Sequence, residues 1–251
     1  MEKNNKNGHG SVLKMALLTG LLAMVTQANA IQTNDLLHGH LTAQLGYYWS
    51  LQGQAQNINI EGTVGDLFTL ANGQESNGLF GLGYYVDGQT EGAFNMSYGL
   101  NFFYLGPTGV SGAVIQEHLF TNLTYSYKVS HIPLYLMAKS TIDTNSTRYG
   151  VTVDVGIGPN FTSTGSFKET NLDGGRTDPD LIFSGKNSTT FSATAGIGLK
   201  FNNIFGAAPL ECGYRFFYLG EAGFNKVTNQ TINTLGTGSN FGNAVICAIT
   251  I

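Results

Sequence analysis

Charged side chains are scarce in this chain, 11% of 251 residues, against roughly 25% in an ordinary soluble domain. Disordered segments are rich in charge and poor in aromatics, so this composition excludes a largely disordered chain. Cysteine occurs only twice, at Cys212 and Cys247, without the paired spacing of a zinc site or the density of a disulfide scaffold. No apolar run reaches the ~20 residues that a membrane-spanning helix needs. Basic clusters are missing too, and with them the electrostatic footprint of a nucleic-acid-binding protein. No cofactor motif and no metal-ligand cluster stands out; His38 and His40 form at most a weak pair ahead of the first strand. What the chain does have is 34 glycines, 12% aromatics and a mean hydropathy of −0.01.

The first thirty residues read as an export leader. Lys3, Lys6 and Lys14 precede or open an uncharged run from Met15 to Val25, and Ala28-Asn29-Ala30 gives the small-x-small cleavage pattern. Residues 31–251 are then expected to form one domain. Loss of the leader removes three lysines and one glutamate, which deepens the net charge from −4 to −6.

Beyond the leader the dominant signal is alternation with period two, the mark of strands with one apolar face. Leu41, Ala43, Leu45, Tyr47 and Trp49 alternate with Thr42, Gln44, Gly46 and Tyr48. Tyr149, Val151, Val153, Val155 and Ile157 alternate with Gly150, Thr152, Asp154, Gly156 and Gly158. The same rhythm recurs over 80–86, 94–104, 191–201, 210–218 and 241–251. The face opposite the apolar one is built of Gly, Ser, Thr and Asn with few charges. Small residues suit the inside of a narrow barrel, and an aromatic-rich outer face suits lipid.

Strand counting tests this reading. Between His118 and Ile142 the apolar positions are odd up to Val129 and even from Leu134 onward. Two strands here give a total of nine; one strand with a bulge at His131 to Pro133 gives eight, and single-chain bacterial barrels have an even number. The expected fold is therefore all-β, an eight-stranded antiparallel up-and-down transmembrane barrel. Short periplasmic turns are expected at Asp87–Gly92, Asp143–Thr147 and Asn203–Ala208, and long extracellular loops at 52–77, 106–117, 162–188 and 221–240.

Glu211-Cys212-Gly213-Tyr214-Arg215-Phe216-Phe217-Tyr218-Leu219-Gly220 resembles the Gly-Tyr-Arg-aromatic…Leu-Gly strand of the opacity-protein and outer-membrane-protein-A group of eight-stranded barrels. Gly156-Ile157-Gly158 and Gly196-Ile197-Gly198 are similar to the Gly-x-Gly strands of that group. The likeness runs from about Tyr149 to Ile251; the final Ile249-Thr250-Ile251 departs from the C-terminal Phe usual there. It implies residence in a Gram-negative outer membrane, with lipid and the assembly machinery as partners. Within the chain, Gly99-Leu100-Asn101-Phe102-Phe103-Tyr104-Leu105-Gly106 echoes Gly213 to Gly220.

Five charges fall on the small-residue face and are expected in the lumen: Lys139, Asp154, Lys200, Glu211 and Arg215. Neighbouring strands suggest Lys139 with Asp154 and Lys200 with Glu211, Arg215 being close by. Such groups must pair or stay hydrated, and a structural plug and a small-ion path both fit. Cys212 and Cys247 fall on outward faces near the periplasmic end, where a cross-strand disulfide and two lipid-facing thiols both fit. Asp173, Arg176, Asp178 and Asp180 lie in a turn-rich loop suited to a surface or host ligand. Catalysis is not expected, since Glu117 and His118, with Ser111 as a conceivable partner, are adjacent and would point to opposite faces of a strand. The expected role is structural or adhesive, with a filled lumen. A small-solute channel and an exported soluble β-sandwich adhesin stay open as alternatives.

Overall fold

A computed structural model of the chain describes residues 39–144, 146–205 and 208–251. The expected leader, 1–30, and His38 lie outside the described residues. Among the described residues twelve strands form: β1 (His40–Leu51), β2 (Gln56–Ile58), β3 (Asp66–Phe68), β4 (Ser76–Glu91), β5 (Phe94–Gln116), β6 (Phe120–Asp143), β7 (Tyr149–Asn171), β8 (Phe183–Ser184), β9 (Lys186–Phe205), β10 (Ala208–Gly223), β11 (Asn225–Lys226) and β12 (Gly236–Thr250). Eight of them, β1, β4, β5, β6, β7, β9, β10 and β12, pair antiparallel in that order, and β1 closes the ring on β12. This is the eight-stranded barrel that alternation and parity called for.

The two faces of the wall follow from the alternation. In the half nearest the short turns, large apolar side chains point outward and stay exposed: Leu45 at 70%, Leu136 at 63% and Ile197 at 57%. Trp49, Tyr104, Phe161, Phe191 and Tyr218 continue this face at the upper margin of the band. Thr42, Gln44, Asn101, Thr152, Asp154 and Thr194 point inward and are buried. An apolar belt edged with aromatics around a polar interior is the arrangement that lipid selects.

The strands are longer than a bilayer requires. β6 has 24 residues and β7 has 23, whereas about 9–11 tilted residues cross the hydrocarbon. The long loops expected at 106–117 and 162–188 are therefore largely strand, β5 reaching Gln116 and β7 reaching Asn171. The segment 221–240 shrinks to a connection between β10 and β12, and 52–77 holds the β2–β3 hairpin.

The bulge expected at His131 to Pro133 is absent. Leu123, Tyr125, Tyr127, Val129, His131, Pro133, Tyr135 and Met137 all point inward without a change of parity, and the β6–β7 register runs unbroken through Pro133. The apolar pattern shifts because the surroundings change. Below His131 the outer face meets lipid with Leu134 and Leu136. Above it the outer face carries Ser126, Lys128 and Ser130, and the apolar residues turn inward as in a water-soluble protein. Register shifts do occur on other strands, near Gly106-Pro107 of β5, next to Ser166 of β7 (φ 52°) and before Gly220 of β10 (φ 74°). Pro107 sits where a missing N–H costs no ladder bond.

Two apolar clusters result. The lower one fills the bore with Tyr48, Leu79, Tyr85, Phe103, Leu105, Tyr135, Met137, Phe217 and Leu219. The internal echo takes its meaning here: its two copies place Phe103 and Phe217 inside, ring centroids 5.4 Å apart and edge to face, and each ends in a glycine beside a register shift. The upper cluster joins Val110, Val114, Leu123, Tyr125, Tyr127 and Val129 of the wall to Ile58 and Phe68 of the β2–β3 hairpin and to Phe183, Phe224 and Leu235 of the upper connections. Burying each such side chain contributes about 1.5–3 kcal/mol, so this upper tier has a core of its own.

The change of surroundings along β6 is testable by cysteine labelling, since both native cysteines are disulfide-bonded. A water-soluble maleimide should react readily with a Ser126→Cys variant in bilayers and scarcely with Leu134→Cys. Equal reaction at both positions would refute the boundary between them.

Candidate functional site: the lumen charge layer and the outer cap

Near the short-turn end, four of the five expected charges meet. Arg215 on β10 holds Asp154 on β7 in a two-point grip, Nη2 donating to Oδ2 at 2.8 Å and Nη1 lying 2.7 Å from Oδ1. The Lys139 ammonium on β6 pairs with the Glu211 carboxylate on β10, whose other oxygen accepts from Thr152 Oγ1 at 2.8 Å. The pairs expected from strand order, Lys139 with Asp154 and Lys200 with Glu211, do not form. Lys139 does stand opposite Asp154 in register, and Glu211 opposite Lys200. Inside a narrow bore, however, side chains reach across strands. Asp154 and Arg215 both face Gly196 of β9, where a Cβ would lie 3.0 Å from the carboxylate and 3.2 Å from the guanidinium. The missing side chain is the gap through which the pair forms. Lys200, expected in this network, makes no ion pair among the described residues.

Two aromatic rings back the layer. Arg215 Cζ lies 5.4 Å from the Phe103 centroid and Lys139 Nζ 5.6 Å from that of Tyr85. Gln44 Nε2 donates to Asn101 Oδ1 at 3.1 Å, and Asn101 Nδ2 donates to the Tyr85 hydroxyl at 2.7 Å. The cavity beside these groups, between Gln44, Asp154, Gly198, Glu211 and Arg215, holds about 30 Å³, on the order of one water molecule. Above it stand the packed rings of the lower cluster. A second polar layer follows, in which Asn160 Nδ2 donates to the Leu219 carbonyl at 2.7 Å and Asn240 Nδ2 to that of Gly220 at 2.8 Å.

Cys212 and Cys247 face each other on β10 and β12, Cα atoms 4.1 Å apart, and are joined as a disulfide on the lipid-facing wall. The loop residues separate. Asp173 folds its own loop: Oδ1 accepts from the Arg176 and Thr177 N–H groups and Oδ2 from Thr177 Oγ1 at 2.6 Å, and the Thr177 hydroxyl chiefly holds its carboxyl below the usual range. Arg176, Asp178 and Asp180 are exposed. Glu117 and His118 are not on a strand; both are left-handed residues of a tight turn (φ 51° and 58°). Glu117 accepts from the Val64 N–H at 3.0 Å and His118 Nε2 contacts Asn57 Oδ1 at 2.8 Å, so both tie the β2–β3 hairpin to the wall. His40 Nε2 lies 3.2 Å from Asp87 Oδ1.

Two carboxylates of the cap went unnoticed in the sequence. Glu169 points inward beneath the 172–185 segment and accepts from the Asp180 N–H at 3.0 Å; burial chiefly pushes it up to about 7, with Asp180 and Asp66 adding to the effect. Asp66, likewise raised by burial, accepts from the Glu117 N–H at 3.0 Å. The available signal was the phase change at Gly165-Ser166, which turns Phe167 and Glu169 to the inside.

Truncating one partner of a buried ion pair costs roughly 3–5 kcal/mol, whereas replacing both is often near neutral. Arg215→Leu should therefore lower the temperature at which the barrel loses its compact gel mobility, and Arg215→Leu with Asp154→Leu should recover most of the loss. An unshifted single variant would show that the pair contributes little. A carboxyl raised on folding destabilises progressively as pH rises from its ordinary value of 4.5 toward 7. Proteolysis within 172–185 should accordingly be slower at pH 5 than at pH 8, after normalisation to a denatured control. Glu169→Gln should hold the slower rate at both, and a persistent pH effect in that variant would assign it elsewhere.

No family model and no curated protein matches the chain. Among solved structures it is similar to Neisserial surface protein A, at 11% identity over 84% of this chain and 95% of that one, with a TM-score of 0.43. It is also similar to the outer membrane protein OprG of Pseudomonas aeruginosa (13%, 85% and 96%, TM-score 0.45) and to the outer membrane protease OmpT of Escherichia coli (9%, 84% and 95%, TM-score 0.47). Likeness this remote carries no argument about role. On its own closed strand ring and lipid-facing belt, the chain is an eight-stranded β-barrel of the outer-membrane type.

Proposed function

We propose that this protein is a non-enzymatic surface-contact barrel of a bacterial outer membrane, reached after removal of residues 1–30. Lipid and the barrel-assembly machinery are its general partners, and a host or neighbouring cell surface is its specific one. The observation that carries this reading is the upper tier, a rigid extension of the wall with its own core, standing outside the lipid belt. A stalk of this kind holds its rim in a fixed arrangement. That rim displays Val64, Leu119, Phe120 and Leu172, each between 56% and 75% exposed, and exposed apolar groups gathered on one face mark contact sites. The hydrogen bonds of Val64 to Glu117 and of the Leu172 N–H to the Asn122 carbonyl, 2.7 Å, bring these tips together. Arg176, Asp178 and Asp180 add charge beside them. The packed rings and ion pairs in the bore weigh against a channel.

Two measurements test the reading together. The protein displayed on a non-adherent bacterium should promote attachment to host cells or between bacteria, and Leu119→Ser with Phe120→Ser should return attachment to background with the barrel still folded. In planar bilayers the purified protein should give no discrete conductance steps. Attachment no greater than that of the empty vector would overturn the adhesive role, and steady unitary conductance would overturn the filled lumen.

A further inference from the structure

Where β1 leaves the wall, the segment 69–74 folds back beside it and leaves an open groove of about 590 Å³ against the start of β12. The floor is backbone: the Gln52 N–H donates to the Gly73 carbonyl at 2.9 Å and the Gly53 N–H to that of Thr237 at 2.7 Å. Gly73 is required there, since a Cβ would stand 2.0 Å from the Gln52 carbonyl oxygen. Leu51, Leu70 and Phe241 give the groove its apolar side, and Asn72, Gln74 and Ser239 its polar rim.

The groove continues the lipid-facing wall. Leu51 is the next outward residue of β1 after Leu45, Tyr47 and Trp49, and is 39% exposed, as Leu70 is 40%. Phe241 packs on Phe216 and Tyr218, ring centroids 5.9 and 5.6 Å away, within the upper aromatic margin. A molecule seated here has its chain in the outer leaflet and its head at the level of neutral amides and a hydroxyl. No Lys or Arg lines the groove. The Glu221 carboxylate accepts from Ser239 Oγ at 2.8 Å, next to the rim, and Glu75, which follows Gln74, is turned toward the Gly109 N–H. A phosphate head would find no cationic side chain in the lining and the Glu221 carboxylate beside Ser239, whereas a hydroxyl-bearing neutral head would meet donors and acceptors.

We propose that this groove binds an uncharged amphiphile, an alkyl chain carrying a polyhydroxyl head such as a glycoside, drawn from the outer leaflet. The site is separate from the contact rim and does not depend on it.

The chain supplies its own reporter, because Trp49 is its one tryptophan and sits one outward position below Leu51. In phosphatidylcholine vesicles holding the full-length protein, a chain-brominated alkyl glycoside should quench Trp49 more than brominated phosphatidylglycerol at equal mole fraction. The expected preference is roughly fivefold in effective partitioning, the equivalent of one net hydrogen bond. Ala71→Phe, which narrows the groove without adding a tryptophan, should abolish the preference and leave the general lipid quenching unchanged. Equal quenching by both probes in the wild type, or preference for the anionic lipid, would overturn the proposal, as would a preference that survives Ala71→Phe. The wild-type comparison stands by itself if the variant fails to fold.

Discussion

In hydrocarbon no water is present to satisfy a backbone amide, so every N–H and C=O of the spanning wall must find its partner in another strand. That requirement forces β1 onto β12 and closes the ring at eight. Closure in turn sets the bore, and eight strands leave a space that side chains just fill. The small residues on the inner face follow from this. Gly81 and Gly196 are absences of side chain placed where the Phe103 ring and the Asp154–Arg215 pair need room. The lipid belt is the same constraint seen from outside, since the face that cannot point into so crowded a bore must be one that hydrocarbon accepts.

The charge layer is one consequence of the crowding. An ion buried alone in the bore would cost several kcal/mol. Arg215 and Asp154 answer with paired contacts, and Phe103 lends the guanidinium an aromatic face. The ring of Phe103 also meets Phe217, so the ionic layer and the aromatic layer above it share a residue. Moving a solute through the bore would separate both at once.

Much of this was legible in the sequence wherever one strand meets one environment on each face. Leu41 to Trp49 and Tyr149 to Ile157 alternate cleanly because lipid and lumen select opposite side chains. Legibility failed where the environment changes along a strand. On β6 the parity is constant from Leu123 to Met137, yet the apolar signal moves from one face to the other, because above His131 the outer solvent is water. A period-two reading cannot distinguish a slip of the chain from a change of solvent. The ion-pair partners failed for another reason: sequence order gives wall neighbours, while Asp154 and Arg215 meet across a strand whose contribution at that level is a glycine. Lys200 was grouped with the others because its face was right, and face alone says nothing about reach.

The two tiers follow the two solvents, and their junction explains where the irregularities sit. A strand that keeps its parity across the boundary, as β6 does, needs a sequence that changes character, from lumenal Tyr135 and Met137 to core Tyr127 and Val129. A strand whose register shifts there, as near Pro107, Ser166 and Gly220, lets a different set of side chains enter the upper core. Phe167 reaches the upper cluster because Ser166 takes up the extra residue, and the same shift carries Glu169 inward beneath the 172–185 segment. The shifts therefore do the work of joining a barrel inverted for lipid to one packed for water. Because the upper tier keeps its own core while remaining continuous with the closed ring below, its rim inherits the rigidity of the spanning wall.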